Sequence, residues 1–207
     1  MFIEDLIKKK IHISDENAYM LRIYIEELWK WNQKINLVGV SSIERVLDEL
    51  LIDSLVAKDL IPNKGCCLDI GSGAGFPAIP LKIMKPDVIF HLVEARTKKV
   101  VFLRYIIRKI GLKNIKVIEN RMECIKNILF STYDVVTFKG INLLYGLALS
   151  YPYIKDGIII NFQGKYYKDI IAKAKAFTTK NRLKIHLIKE YQISQVKRAL
   201  IIFKKYN

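Results

Sequence analysis

From residue 65 onward, short apolar runs alternate with longer stretches whose apolar residues recur every three or four positions. The runs at 66–70, 88–93, 115–119, 133–137 and 157–162 predict buried strands. The segments between them, about 76–84, 97–110, 121–129, 142–151 and 166–179, predict helices. Strands that run the same way need a crossover, so this alternation predicts an α/β chain with a mostly parallel sheet. The end of the chain breaks the pattern. Leu183 to Ile188 and Ala199 to Lys204 are strand-like runs separated only by a loop, which predicts a C-terminal antiparallel pair. The first 63 residues read differently. Segments 1–10 and 15–34 are helical, with Leu21, Ile25, Leu28 and Trp29 on one face and capping chemistry in Ser14-Asp-Glu-Asn. Ser41 to Glu44 has the spacing of a capping box, opening a third helix through Val46, Leu47, Leu50, Leu51 and Leu55 towards Pro62. The expected organisation is an N-terminal helical extension over 1–63 followed by one compact domain over 64–207.

The densest chemistry lies where the first strand ends, in Leu68-Asp-Ile-Gly-Ser-Gly-Ala-Gly-Phe-Pro77. Strand, glycine loop and helix is the layout of a nucleotide-type site at the mouth of an α/β sheet. The G-x-G-x-G spacing is neither the dinucleotide G-x-G-x-x-G nor the P-loop pattern. Glu94 closes the second strand nineteen positions after Gly75, where such folds grip ribose hydroxyls. A purely structural turn is the competing reading. Three features favour a sulfonium cofactor. The loop, with Gly71 and Gly73, carries no basic residue, and free N–H groups at the following helix suit a carboxylate. Phe76 offers an aromatic face to a cation. Asn120-Arg-Met-Glu-Cys124 follows the third strand on the same rim, with Met122 placed to cover an adenine and Glu123 to meet its amine.

Charge adds a partner. The net charge is +15, but residues 1–63 carry −3 and residues 64–207 carry +18. That asymmetry favours RNA or DNA contact over a uniformly basic surface. Arg104 and Arg108, one helical turn apart, and Lys165, Lys168, Lys197 and Arg198 are the candidate contacts. No run is apolar enough for a membrane span, and the first residues lack the plan of a secretory signal. Cys66, Cys67 and Cys124 fit neither a disulfide framework nor zinc spacing, so they are expected to be reduced core residues of a cytoplasmic protein. No metal set and no catalytic residue stands out, and a monomer is the default expectation.

Longer strings narrow the reading. Asp69-Ile-Gly-Ser-Gly-Ala-Gly with Glu94 resembles the first motifs of class I S-adenosylmethionine methyltransferases. Trp31-Asn-Gln-Lys-Ile-Asn-Leu-Val, Ile52-Asp-Ser-Leu, the glycine loop extended through Phe-Pro-Ala-Ile-Pro-Leu, and Lys98-Lys-Val-Val-Phe-Leu-Arg resemble the GidB (RsmG) family over roughly residues 20–165. That resemblance implies a Rossmann-like sheet, S-adenosylmethionine as cofactor, and methylation of N7 of a guanine in small-subunit ribosomal RNA. It implies Gly71 and Phe76 against the cofactor, Met122 and Glu123 at its adenine, Glu94 at the ribose, and Lys139 where the family usually has an arginine. The chain departs from the family at Glu49 and Leu50, where Arg-His is common, and at Phe138-Lys139-Gly140 and Gln163, where Ser-Arg-Ala and Lys are usual. Two other readings stay open: a non-catalytic RNA-binding or ribosome-assembly factor, and a methyltransferase for a different substrate.

Overall fold

The computed structural model describes residues 3–125 and 132–206. Seven strands form one sheet in the order β3-β2-β1-β4-β5-β7-β6. The strands are β1 (Cys66–Ile70), β2 (Ile89–Glu94), β3 (Ile115–Glu119), β4 (Val135–Lys139), β5 (Ile158–Gly164), β6 (Leu183–Ile193) and β7 (Val196–Lys205). The first five are mutually parallel, and β7 is antiparallel to both β5 and β6. This is the expected Rossmann-like class I methyltransferase sheet with its C-terminal antiparallel pair. Chain order reverses between β1 and β4, which opens a crevice at their carboxyl ends.

Helices cover both faces. On one lie α1 (Ile3–Lys10), α2 (Asp15–Ile35), α5 (Ala78–Met84) and α6 (Thr97–Lys109), packed through Ile7, Leu21, Ile25, Leu28, Ile79 and Phe102 onto sheet residues such as Phe90 and Ile202. On the other, α7 (Leu143–Ser150) and α8 (Tyr167–Lys180) pack through Leu143, Leu147 and Ala174 near Phe138, Ile159 and Ile201. Ser14 caps α2, accepting from the Asn17 N–H at 3.3 Å. The helix ends at Asn36 in a left-handed conformation, and Asn32 Oδ1 accepts the Val38 N–H at 2.8 Å. Part of the Trp31–Val38 string is therefore helix-ending chemistry.

Four elements differ from expectation. The third helix is not continuous: α3 (Ile43–Arg45) passes into a π-helix over Val46–Ile52, then α4 (Asp53–Leu55). Its cap is Ser42, which accepts from the Arg45 N–H, rather than Ser41. The C-terminal strands are longer than their apolar cores and meet in a two-residue turn, Ser194-Gln195, with both residues at positive φ. That geometry matches the twist of a tight hairpin. Of the segment 121–129, Met122–Cys124 form one 3₁₀ turn, and the part from residue 126 lies outside the described residues. Among the described residues no helix is long and apolar enough to cross a membrane.

Candidate active site

The glycine loop turns off the end of β1 by borrowing acceptors from β2. The N–H groups of Gly71 and Ser72 both donate to Val93 O, at 2.9 and 3.0 Å. Glu94, the next residue, is buried and completes the frame: one oxygen accepts the Gly73 N–H at 2.8 Å, the other the Arg96 N–H at 2.8 Å. From the opposite side Tyr24 of α2 donates to Ala74 O at 2.9 Å, and its ring packs 5.2 Å from Phe76. The N-terminal helices thus hold the loop in place.

Two clefts flank this frame. One, about 470 Å³, is lined by Gly71, Gly73, Phe76, Glu94 and Lys139. The other, about 300 Å³, is lined by Gly71, Glu94, Met122, Glu123 and Tyr145. Gly71, Glu94, Arg96 and Ile141 belong to both, so the pair forms one furrow along the carboxyl ends of the strands. All seven residues named from the sequence for the cofactor line it. Met122 and Phe76 are nearly covered, and Glu123 is exposed but held by the Tyr145 hydroxyl.

Asp69 lies beneath the loop, 1 % exposed. Its Oδ1 accepts the Thr137 hydroxyl at 2.6 Å, while its Oδ2 is buried with no hydrogen-bond partner among the described residues. Burial pushes its carboxyl up to about 7; the nearby Glu94 charge adds to the rise, against hydrogen bonds that favour the ionised form. A folded-state value raised above the unfolded one means that the native protein holds this proton more tightly. Stability contributed by the protonated carboxyl is complete below the unfolded value of 3.8 and is lost as pH rises towards 7. Wild type is expected to lose stability relative to Asp69→Asn over that window by about 1.4 kcal/mol per pH unit. Urea midpoints at several pH values measure this, and a pH-independent difference contradicts it. Asp69 thus supports the loop from below, while Gly71 and Gly73 bring the backbone itself to the cleft wall.

Lys139 is turned away from the furrow's centre. Its ammonium pairs with Asp53 at 2.6 Å and donates to Glu49 O at 3.1 Å. Asp53 is completely buried and also receives Arg198 and the Tyr191 hydroxyl. Asp53 was given no site role from the sequence, although it lies in the Ile52-Asp-Ser-Leu string. A signal was present: an acid inside the apolar run from Val46 to Leu55, at a position that a solvated charge would avoid.

A third cleft, about 580 Å³, lies between α8 and the β6–β7 pair and is lined by Lys165, Lys168, Lys197, Arg198, Tyr167 and Tyr191, among others. The antiparallel register puts Arg198 opposite both Gly164 and Tyr191, on the same rim as the glycine loop. Four of the six basic residues named for nucleic acid therefore meet. Arg104 and Arg108 do not join them: both lie on α6, and Arg104 reaches Glu119 of the edge strand β3 at the far side of the sheet. One smaller expectation changes: Cys124 is exposed rather than in the core. His91 is buried, with Nδ1 2.6 Å from the Tyr133 hydroxyl.

A family model described as GidB, rRNA small subunit methyltransferase G, matches residues 17–200. The ribosomal RNA small subunit methyltransferase G of Helicobacter pylori (strain ATCC 700392 / 26695) is 37% identical over 155 residues, covering 74% of this chain and 85% of the relative. The protein of that name from Geotalea uraniireducens is 31% identical over 199 residues, covering 94% and 91%. Among solved structures, a putative O-methyltransferase from Klebsiella pneumoniae aligns with a TM-score of 0.66 at 13% identity, over 99% of this chain and 96% of its own. M. jannaschii TYW2 in complex with AdoMet aligns with a TM-score of 0.64 at 17% identity, over 82% and 79%. At those identities the structures speak for the fold alone.

Proposed function

The chain belongs to the GidB family of S-adenosylmethionine-dependent methyltransferases, and from that premise we propose that it methylates N7 of a guanine in small-subunit ribosomal RNA. The observation that carries the reading is the juxtaposition on one rim of a glycine-loop furrow and a cleft walled by four basic side chains. The furrow takes S-adenosylmethionine, with Glu94 at the ribose, Met122 and Glu123 at the adenine, and Gly71, Gly73 and Phe76 along the rest of the cofactor. Bound there, the cofactor would supply a sulfonium methyl open to in-line attack by the N7 lone pair, the N–C bond forming as the C–S bond breaks and S-adenosylhomocysteine leaves with the sulfur electron pair. Guanine N7 carries no proton, so the protein needs no general base. Its task is to hold N7 close to the methyl and aligned with it, by far the larger source of rate in such a reaction. The RNA lies along the basic cleft. We further propose that the protein acts in the cytoplasm as a monomer.

The test offers labelled cofactor to small subunits, large subunits, transfer RNA and total protein. Label is expected in small-subunit RNA. With four phosphates neutralised in the cleft, affinity falls roughly 50- to 150-fold between about 50 and 200 mM salt. Label in protein or a small molecule, or a flat salt response, overturns the substrate assignment. Cofactor binding without transfer to any acceptor supports the non-catalytic factor instead.

A further inference from the structure

One end of the furrow is lined by two polar side chains that come from different elements and meet. Glu123 sits on the 3₁₀ turn after β3, and Tyr145 on α7, which follows β4. Both line the same cleft of about 300 Å³, together with Met122. The Tyr145 hydroxyl donates to Glu123 Oε1. The two partners differ in rigidity. Glu123 is exposed on a single turn, and a long side chain there is free to swing into water. Tyr145 stands on a seated helix. Leu143 and Leu147 bury α7 against the sheet, and Asn142 Oδ1 accepts the Tyr145 N–H at 3.2 Å. The ring therefore fixes the carboxylate, not the reverse. The same bond keeps the Glu123 carboxyl below its usual range, so it is ionised near neutrality. Arg96 and Arg121 line the cleft as well, but among the described residues neither hydrogen-bonds Glu123. Oε2 makes no hydrogen bond to another residue among those described and is open to a ligand.

We propose that Tyr145 is a positioning residue for cofactor selection: it holds the Glu123 carboxylate where that group takes the 6-amino group of the cofactor's purine. An ionised carboxylate only accepts hydrogen bonds, so it rewards a purine that carries an amine at this position over one that does not. With the carboxylate already placed, the ligand has less side chain to order on binding. The inference rests on S-adenosylmethionine occupying the furrow with its adenine at Glu123, and adds the residue that makes this contact selective.

The test is calorimetric titration of the full chain with two ligands. One is S-adenosylhomocysteine, and the other is its analogue with hydrogen in place of the 6-amino group. For wild type, loss of the amine is expected to weaken binding about tenfold, as for a hydrogen bond to a charged group. Y145F removes only the hydroxyl of a half-exposed ring. It is expected to bind S-adenosylhomocysteine about fivefold more weakly than wild type and the analogue equally well, so that the amine is worth only about twofold. Equal weakening of both ligands, or a full preference retained in Y145F, overturns the positioning role. In E123A the preference for the amine is expected to vanish. If it vanishes there but persists in Y145F, the placement of adenine at Glu123 stands and the proposal falls. A wild type that binds both ligands equally, or neither, refutes that placement and the proposal with it.

Discussion

Replacing Gly71 and Gly73 together by alanine is expected to abolish cofactor binding while the sheet stays folded. Both glycines hold positive φ, +68° and +59°. A side chain in that conformation costs about 1–2 kcal/mol per residue. At Gly71 the added Cβ would also lie 2.7 Å from Ile141 Cδ1, on the wall shared by both clefts. At Gly73 the nearest foreign atom is Lys99 Nζ at 3.7 Å, so the harm there is conformational: the loop relaxes and draws the Gly73 N–H from Glu94. An affinity loss of roughly 30- to 900-fold follows from the two backbone costs together. Calorimetric titration with S-adenosylmethionine measures it, and unchanged affinity removes the cofactor from this loop.

The second large effect is on stability. Asp53→Ala leaves the part-buried Lys139 and Arg198 side by side with no counter-charge, which is expected to cost about 3 kcal/mol, the low end for a buried pair, because both cations keep some contact with water. Removing the cations as well, in a variant with Asp53→Ala, Lys139→Met and Arg198→Met, is expected to recover most of that loss, since an apolar cluster has no desolvation penalty. Urea unfolding with an unchanged slope is the measurement. A loss below about 1 kcal/mol for Asp53→Ala, or no recovery in the triple variant, shows that the ion pairs are not what holds this cluster together.

Much of this architecture was legible in the chain because the signals are local. Each parallel strand is a short apolar run, each crossover helix has its own period, and the glycine loop and Glu94 occupy the ends of adjacent strands. What was hidden depends on residues far apart in sequence. Asp53 meets Lys139 and Arg198 across most of the chain, and its neutralisation cannot be read from its neighbours. The π-helix that leads into Asp53 left no mark in the apolar spacing from Val46 to Leu55. The hairpin was underestimated because β6 is an edge strand with Lys184, Lys189 and Glu190 among its exposed residues, so its apolar run stops before its hydrogen bonds do. Charge statistics named six basic residues, but only pairing of β5 with β7 shows that Arg198 joins Lys165, while Arg104 sits at the opposite edge. The unpaired Asp69 oxygen likewise becomes visible only when Thr137 of β4 is seen to satisfy the other one.

The most direct measurement is the identity of the methylated nucleoside. Small subunits lacking N7-methylguanine are incubated with the protein and labelled S-adenosylmethionine, and their RNA is digested and resolved. The account predicts label in 7-methylguanosine at a single position of the small-subunit RNA. Label in any other nucleoside, or none while the furrow still binds cofactor, contradicts it.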